Sequence, residues 1–268
     1  MTALTVYCTG HRVSKVICAA MAYGVECDIA PSKPGLRDDG NPAFFYGMLR
    51  HNWRLRKQCI RTGRDWYLAD NGYMRPGQFQ GYYRITRNAL LCDGHSPPCT
   101  ARLDALGVRP RPWRQNGRYV LLCVPYTEYC GYWGFNGREW QKTQMAKLRE
   151  ATDRPIVLSY KPGDPRMPAD QPPIESQLAG AWAVVAHDSN IAVDAIIAGV
   201  PVFVTGETPA RLMGRADAAD IEQPLYPDNR REWLATLAAN QWTLDEFMSG
   251  RAWEDLKDIY SNGSREAG

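Results

Sequence analysis

The sequence predicts an α/β protein built from two Rossmann-like β/α domains. Three observations carry that expectation. Short apolar runs alternate with helical periodicities along both halves of the chain. A stretch rich in Pro and Arg, from Pro97 to Gly117, separates those halves. At 268 residues and 44% hydrophobic composition, two compact cores fit better than one. The expected domains are residues 1–118 and 119–268.

The first half opens on Leu4-Thr5-Val6-Tyr7-Cys8, whose β-branched and aromatic residues favour a strand. Thr9-Gly10-His11 turns the chain into a helix from His11 to Tyr23, with apolar residues at helical spacing, and Gly24 stops it. Val25 to Ala30 reads as a second strand, followed by a Pro-, Gly- and Asp-rich loop from Pro31 to Asn41. A third strand, Phe44 to Leu49, leads into a basic helix from His51 to Thr62. Trp66 to Ala69 is a fourth strand, ending at Asp70-Asn71-Gly72. Such alternation argues a parallel sheet with helices on its faces, whose ligands bind beyond the carboxyl ends of the strands. Thr9-Gly10-His11 and Asp70-Asn71-Gly72 both fall there.

Past the Pro-rich linker, Tyr119 to Pro125 predicts a strand, Gly137 to Ala151 a helix, Pro155 to Tyr160 a strand and Ile174 to Ala179 a short helix. A compact β-α-β unit follows. The apolar run from Ala181 to Ala186 ends at Asp188-Ser189-Asn190, all N-cap residues. Ile191, Ala195, Ile196 and Ala198 then recur at helical spacing, and Gly199 closes the helix. Val200-Pro201-Val202-Phe203-Val204 is apolar on both faces, as in a buried parallel strand. Backbone N–H groups at the helix start, beside Ser189 and Asn190, point with the helix dipole and suit a phosphate. Asp194, about one turn on, is in reach of the sugar hydroxyls of a nucleotide. Arg230 to Ala239 and Leu244 to Tyr260 read as helices, with Thr243 as a cap and Ser261 to Gly268 as a frayed tail.

Charge is split along the chain. Up to Arg118 there are 18 Lys and Arg against 8 Asp and Glu; after it there are 14 against 21. A half at +10 suggests a polyanionic partner. Its arginines, among them Arg50, Arg54, Arg75, Arg84 and Arg87, interleave with Trp53, Trp66, Tyr67, Tyr73, Tyr82, Tyr83 and Trp113, a mixture suited to phosphates and stacked bases. The alternative is a solvated helix face over core aromatics. Eight cysteines without a C-x-x-C pair favour reduced thiols, and the lack of a signal-like N-terminus or a long apolar run predicts a cytoplasmic protein. Cys92 to Cys99 offers two thiols and His95 but no fourth ligand, which reads as a loop rather than a metal site.

Ser189-Asn190-Ile191-Ala192-Val193-Asp194-Ala195, followed by Gly199-Val200-Pro201-Val202-Phe203, resembles the donor-binding segment of GT-B glycosyltransferases. Capsular-polysaccharide-type and phage-encoded DNA-modifying members are among them, and the family usually carries Glu where Asp194 stands. Asp70-Asn71-Gly72-Tyr73 with Tyr82-Tyr83-Arg84-Ile85-Thr86 is similar to an element of the phage-encoded members, and Lys161-Pro162-Gly163 to the family's basic-Pro element. The resemblance implies a GT-B-like fold: two facing Rossmann-like domains with a cleft between them, the last helix packing back on the N-terminal one. It also implies a nucleotide-sugar co-substrate, UDP-glucose or similar, held by the C-terminal domain, and no other cofactor.

Sugar transfer needs a base for the acceptor hydroxyl and cationic or N–H groups for the departing diphosphate. Asp70, at a strand tip, is the first candidate base and His11 the alternative. Lys161, Arg138, Ser189 and Asn190 are the candidates for the donor diphosphate, and Asp194 for its ribose. Arg50, Arg54, Tyr73, Arg75, Arg84 and Arg87 are the candidates for the acceptor, read as DNA carrying a hydroxymethylated pyrimidine that is flipped out of its stack. The D-x-D metal signal is absent, so no metal is expected, and P-loop, G-x-G-x-x-G and G-x-S-x-G elements are absent too. Two other readings stay open: transfer to a surface polysaccharide or small glycan, and a non-catalytic nucleotide- or DNA-binding protein of the same fold.

Overall fold

Alternating apolar side chains in the strands bury both faces of two sheets. The computed structural model describes residues 4–49, 51–75, 79–92, 96–126, 130–131 and 134–262. The chain divides into two compact units. The first comprises Met1–Leu106 and Ala235–Gly268, the second Gly107–Leu234. The sequence-based limit lay near Arg118.

In the first unit, β1 (Leu4–Cys8), α1 (Arg12–Gly24), β2 (Cys27–Pro31), β3 (Ala43–Tyr46), α2 (Asn52–Thr62), β4 (Trp66–Asn71), β5 (Tyr83–Arg87) and α3 (Thr100–Leu106) follow in order. The sheet runs β10-β5-β4-β3-β1-β2, where β10 is Gln241–Trp242 from the end of the chain. Strands β1 to β4 are parallel, and β5 and β10 join antiparallel at one side. Alternation sorts the core: Val6, Phe44 and Tyr67 pack with Val13, Ile17 and Met21 of α1, while Tyr7, Phe45 and Leu68 pack with Leu55 and Cys59 of α2. The two helices therefore cover opposite faces.

Three elements here went beyond the sequence expectation. The aromatic-basic stretch around Tyr83 is the strand β5, with Tyr83, Arg84, Ile85 and Thr86 all buried. Part of the expected linker is α3, with Leu103 and Leu106 buried. The single helix expected from Leu244 to Tyr260 is two, α8 (Leu244–Met248) and α9 (Arg251–Asn262), broken at Gly250, whose φ is +78°. The chain turns there because Gly24 and Gly250 touch: a side chain on Gly24 would lie 2.6 Å from the Gly250 nitrogen.

The second unit holds β6 (Tyr119–Cys123), α4 (Gly137–Ala151), β7 (Ile156–Ser159), α5 (Ile174–Gly180), β8 (Ala181–Ala186), α6 (Ile191–Ile197) and β9 (Val202–Val204). Two short 3-10 turns, at Pro209–Met213 and Ala218–Asp220, follow β9. The sheet is wholly parallel, in the order β7-β6-β8-β9. Val120, Leu122, Ala183, Val185 and Phe203 form a core with Trp140 and Leu148 of α4. Gly199, at φ +77°, ends α6; a side chain there would strike the Pro112 carbonyl at 2.1 Å. The chain passes from the second unit back to the first within α7 (Arg230–Ala239). The eight cysteines are free thiols, and among the described residues no helix is long and apolar enough to cross a membrane.

Candidate functional site

The order β7-β6-β8-β9 reverses at the middle of the second sheet. The chain steps from β6 to β7 on one side, then returns past β6 to β8 on the other. Ligands of open α/β sheets bind beyond the carboxyl ends of the strands at such a reversal point, here between β6 and β8. The segments that reach this edge are Val124 to Tyr126, Ser159 to Asp164, His187 to Asn190, and Thr205 with Gly206.

His187 is the most elaborately held side chain there. Its Nδ1 lies 2.9 Å from Thr205 Oγ1, and the Trp140 indole N–H donates to the same oxygen at 2.7 Å. The Thr205 hydroxyl thus bridges the indole and the imidazole and fixes the orientation of both rings. The Phe135 ring packs against it, tilted by 50°, at 4.3 Å between centroids, and Gly206 lies so close that a side chain there would be 2.9 Å from the imidazole. Burial pushes the His187 pKa down, partly offset by Asp188, so the ring is neutral near pH 7. The cluster is therefore a neutral imidazole held rigidly beside aromatic faces.

A second brace links two of the loops. The Asp164 carboxylate is fully buried and chelated by Arg166, whose Nη2 also donates to the Pro125 carbonyl at 2.9 Å. Its hydrogen bonds to Arg166 hold the Asp164 pKa below the usual carboxylate value. The loop after β7 is thereby tied to the loop after β6.

The expected donor residues gather at this same edge. Ser189 is exposed and its hydroxyl accepts from the Ile191 N–H at 3.4 Å, while Asn190 begins α6 without a side-chain cap bond. Asp194 is solvent-exposed, yet protein atoms crowding its carboxyl, with Glu175 nearby, raise its pKa to about 6. The Lys161 ammonium lies 5.8 Å from the Tyr126 ring centroid. Arg138 starts α4 after the cap Asn136, whose side chain accepts from the Arg138 and Glu139 N–H groups. Sequence reasoning missed His187, Thr205 and Trp140. The first two follow directly on strands β8 and β9, so a systematic reading of strand ends would have found them; Trp140 is visible only once α4 packs.

In the first unit, the acceptor candidates divide. The antiparallel register of β4 and β5 sets Asp70 opposite Arg84. Arg84 is buried, its Nη2 3.2 Å from Asp70 Oδ2, and its guanidinium sits 4.7 Å over the Tyr73 ring. The other Asp70 oxygen accepts from the Asn71 N–H. Tyr73 is only 1% exposed and its hydroxyl accepts from the Cys92 N–H. Arg87 is ion-paired to Asp65 at 2.7 Å. Arg84 and Tyr73 are thus committed inside the fold rather than offered to a nucleic acid, because β5 is a sheet strand and not a surface stretch. Trp66, Tyr67 and Tyr83 are likewise core residues. Arg54 and Arg75 are exposed. Arg50 lies outside the described residues, as does His95 of the Cys92–Cys99 segment. His11 is exposed at the end of β1 and its side chain makes no cap bond. Among the described residues, no group of three or more His, Cys, Asp or Glu is placed to hold a metal.

No family model and no curated protein matches the sequence. Among solved structures, this chain is similar to a beta Kdo 2,4 transferase, KpsC of Thermosulfurimonas dismutans, at 12% identity and a TM-score of 0.54, over 87% of this chain and 89% of that one. A beta Kdo 2,7 transferase of the same KpsC aligns at 14% identity and a TM-score of 0.49, over 93% and 98%. The chain shares the mixed α/β fold, with its parallel sheets, of the first of these.

Proposed function

We propose that the protein is a glycosyltransferase of GT-B type, which uses a nucleotide sugar bound by the second unit and a glycan acceptor recognised by the first. The observation that carries the reading is the group of side chains at the reversal point of the second sheet. They combine a rigidly held imidazole, flanking aromatic rings and a helix start with Ser189 and Asn190, the equipment for a diphosphate joined to a flat base. The shared fold with a Kdo transferase supports it.

In this reading His187, Ser189, Asn190, Lys161 and Arg138 stabilise the charge that develops on the departing diphosphate, and Asp194 accepts from a ribose hydroxyl. The acceptor oxygen attacks the anomeric carbon as its proton passes to a general base, and the nucleoside diphosphate leaves. His11 is the candidate this reading favours, since its ring is exposed at a strand end, whereas both Asp70 oxygens already accept hydrogen bonds. A glycan acceptor is preferred to DNA because Arg84 and Arg87 are engaged in internal ion pairs and Tyr73 is buried.

The test is incubation with a panel of nucleotide sugars, UDP-glucose first, and with oligosaccharide, polysaccharide and hydroxymethylated-DNA acceptors, read by mass spectrometry. Transfer to a glycan that falls about 10²- to 10⁴-fold in His11→Ala, with donor binding retained, is expected. His187→Ala should instead weaken donor binding. Transfer to DNA alone would reverse the choice of acceptor, and donor binding without transfer to any acceptor would favour a non-catalytic binding protein.

A further inference from the structure

The first sheet also reverses direction, and a different pocket lies there. Strand β1 sits between β2 and β3, and α1 and α2 cover opposite faces. Beyond the carboxyl ends of these strands, a cavity of about 200 Å³ is lined by Ser32, Lys33, Pro34, Gly35, His51, Arg54 and Gln58. Its lining carries three nitrogen bases and no carboxylate.

The cavity opens at the start of α2, an eleven-residue helix whose first turn contains no acid and whose N-cap, His51, makes no side-chain cap bond. Arg54 in that first turn adds positive charge where the helix dipole is already positive, an arrangement that an anion would relieve. Cation–π contact with Trp53, at 5.3 Å for Arg54 and 4.7 Å for Lys57, keeps these cations together.

A second observation points to a ligand independently. Ser32 is 4% exposed, and its hydroxyl has no hydrogen-bond partner among the described residues. Its own backbone N–H is fixed on the Cys8 carbonyl at 3.0 Å, so the residue is held in place with its donor unspent. Burying a hydroxyl unpaired is unfavourable, and such groups call for an explanation. The loop is also preset: Gly35, at φ +109°, lies against Gln58, whose Oε1 accepts from the Leu36 N–H at 3.0 Å.

We infer that this cavity binds a single oxyanion group, a phosphate monoester or a carboxylate, with Ser32 and His51 as hydrogen-bond donors to it and Lys33 and Arg54 neutralising it at the α2 N-terminus. The site lies within the first unit, and the inference stands without the transferase reading. Its volume admits the anionic group together with part of a sugar-sized body.

The experiment is titration of the full-length protein with inorganic phosphate, a sugar 1-phosphate and glucuronate in low-salt buffer, followed by thermal shift and by calorimetry. Saturable binding of one of these is expected. It should weaken about tenfold or more in Lys33→Ala/Arg54→Ala, whose exposed positions leave the fold intact by circular dichroism, and a few-fold in Ser32→Ala. Preference for the two phosphates identifies a phosphorylated ligand, and preference for glucuronate an acidic glycan; either supports the site. Absence of saturable binding, or binding unchanged in the double variant, overturns it.

Discussion

Asp194 holds its proton into a pH range where an ordinary carboxylate has lost it. Its pKa of about 6 in the folded chain stands above the usual 3.8, so between those values the native state binds more protons than the unfolded one. The associated stability is present in full below the lower value and is lost as pH rises through the higher. Asp194→Asn should therefore melt above the parent protein at about pH 8, by on the order of 1 kcal/mol after discounting for solvent access, and with it at about pH 4. Equal melting at the higher pH would show that the carboxyl pays no penalty for ionising. His187 has the opposite slope: its pKa is depressed, so its share of stability is present above the ordinary imidazole value and is lost on acidification below it. At this scale the sequence showed the residue types at strand ends but not their partners. Asp70 read as an available carboxylate because its engagement by Arg84 depends on a pairing that no local pattern announces.

Single elements were legible where their end signals were local. Thr243 and Glu246 form a reciprocal capping box at the start of α8, the Thr243 hydroxyl accepting from the Glu246 N–H and the Glu246 carboxylate accepting from the Thr243 N–H. Thr243→Ala should cost about 1 kcal/mol in denaturant unfolding, and Thr243→Ser much less. Gly199 shows what a tertiary contact adds. Ala at that position needs a left-handed backbone and a space occupied by the Pro112 carbonyl, so a loss of roughly 2 kcal/mol or more is expected in the same measurement. Elements defined by remote neighbours escaped the sequence. Strand β10 is two residues long and exists only through β5, and α8 and α9 separate because Gly24 approaches Gly250.

Across the whole chain, the repeated alternation of strand and helix revealed two parallel α/β units, while their exact membership depended on distant contacts. Trp242, Phe247, Ala252 and Leu256, from the last stretch of the chain, enter the core of the first unit beside Ile17, Met21 and Phe44. Arg102 fastens the same stretch, bonding Glu246 and Asp255 at 2.8 Å each. A chain ended at residue 234 should leave the first unit without a stable fold while residues 107–234 keep theirs. Limited proteolysis is then expected to release a resistant fragment from the second unit alone; a resistant fragment from residues 1–106 would contradict the assignment.

Because α7 carries the chain back into the first unit, the order of synthesis and the order of folding differ. The ribosome delivers Val13, Ile17 and Met21 long before the tryptophan and phenylalanine that cover them, whereas the second unit emerges as one uninterrupted piece. The early segment must wait, greasy face unclothed, until residues 242–256 arrive, which makes it the natural client for a chaperone during translation.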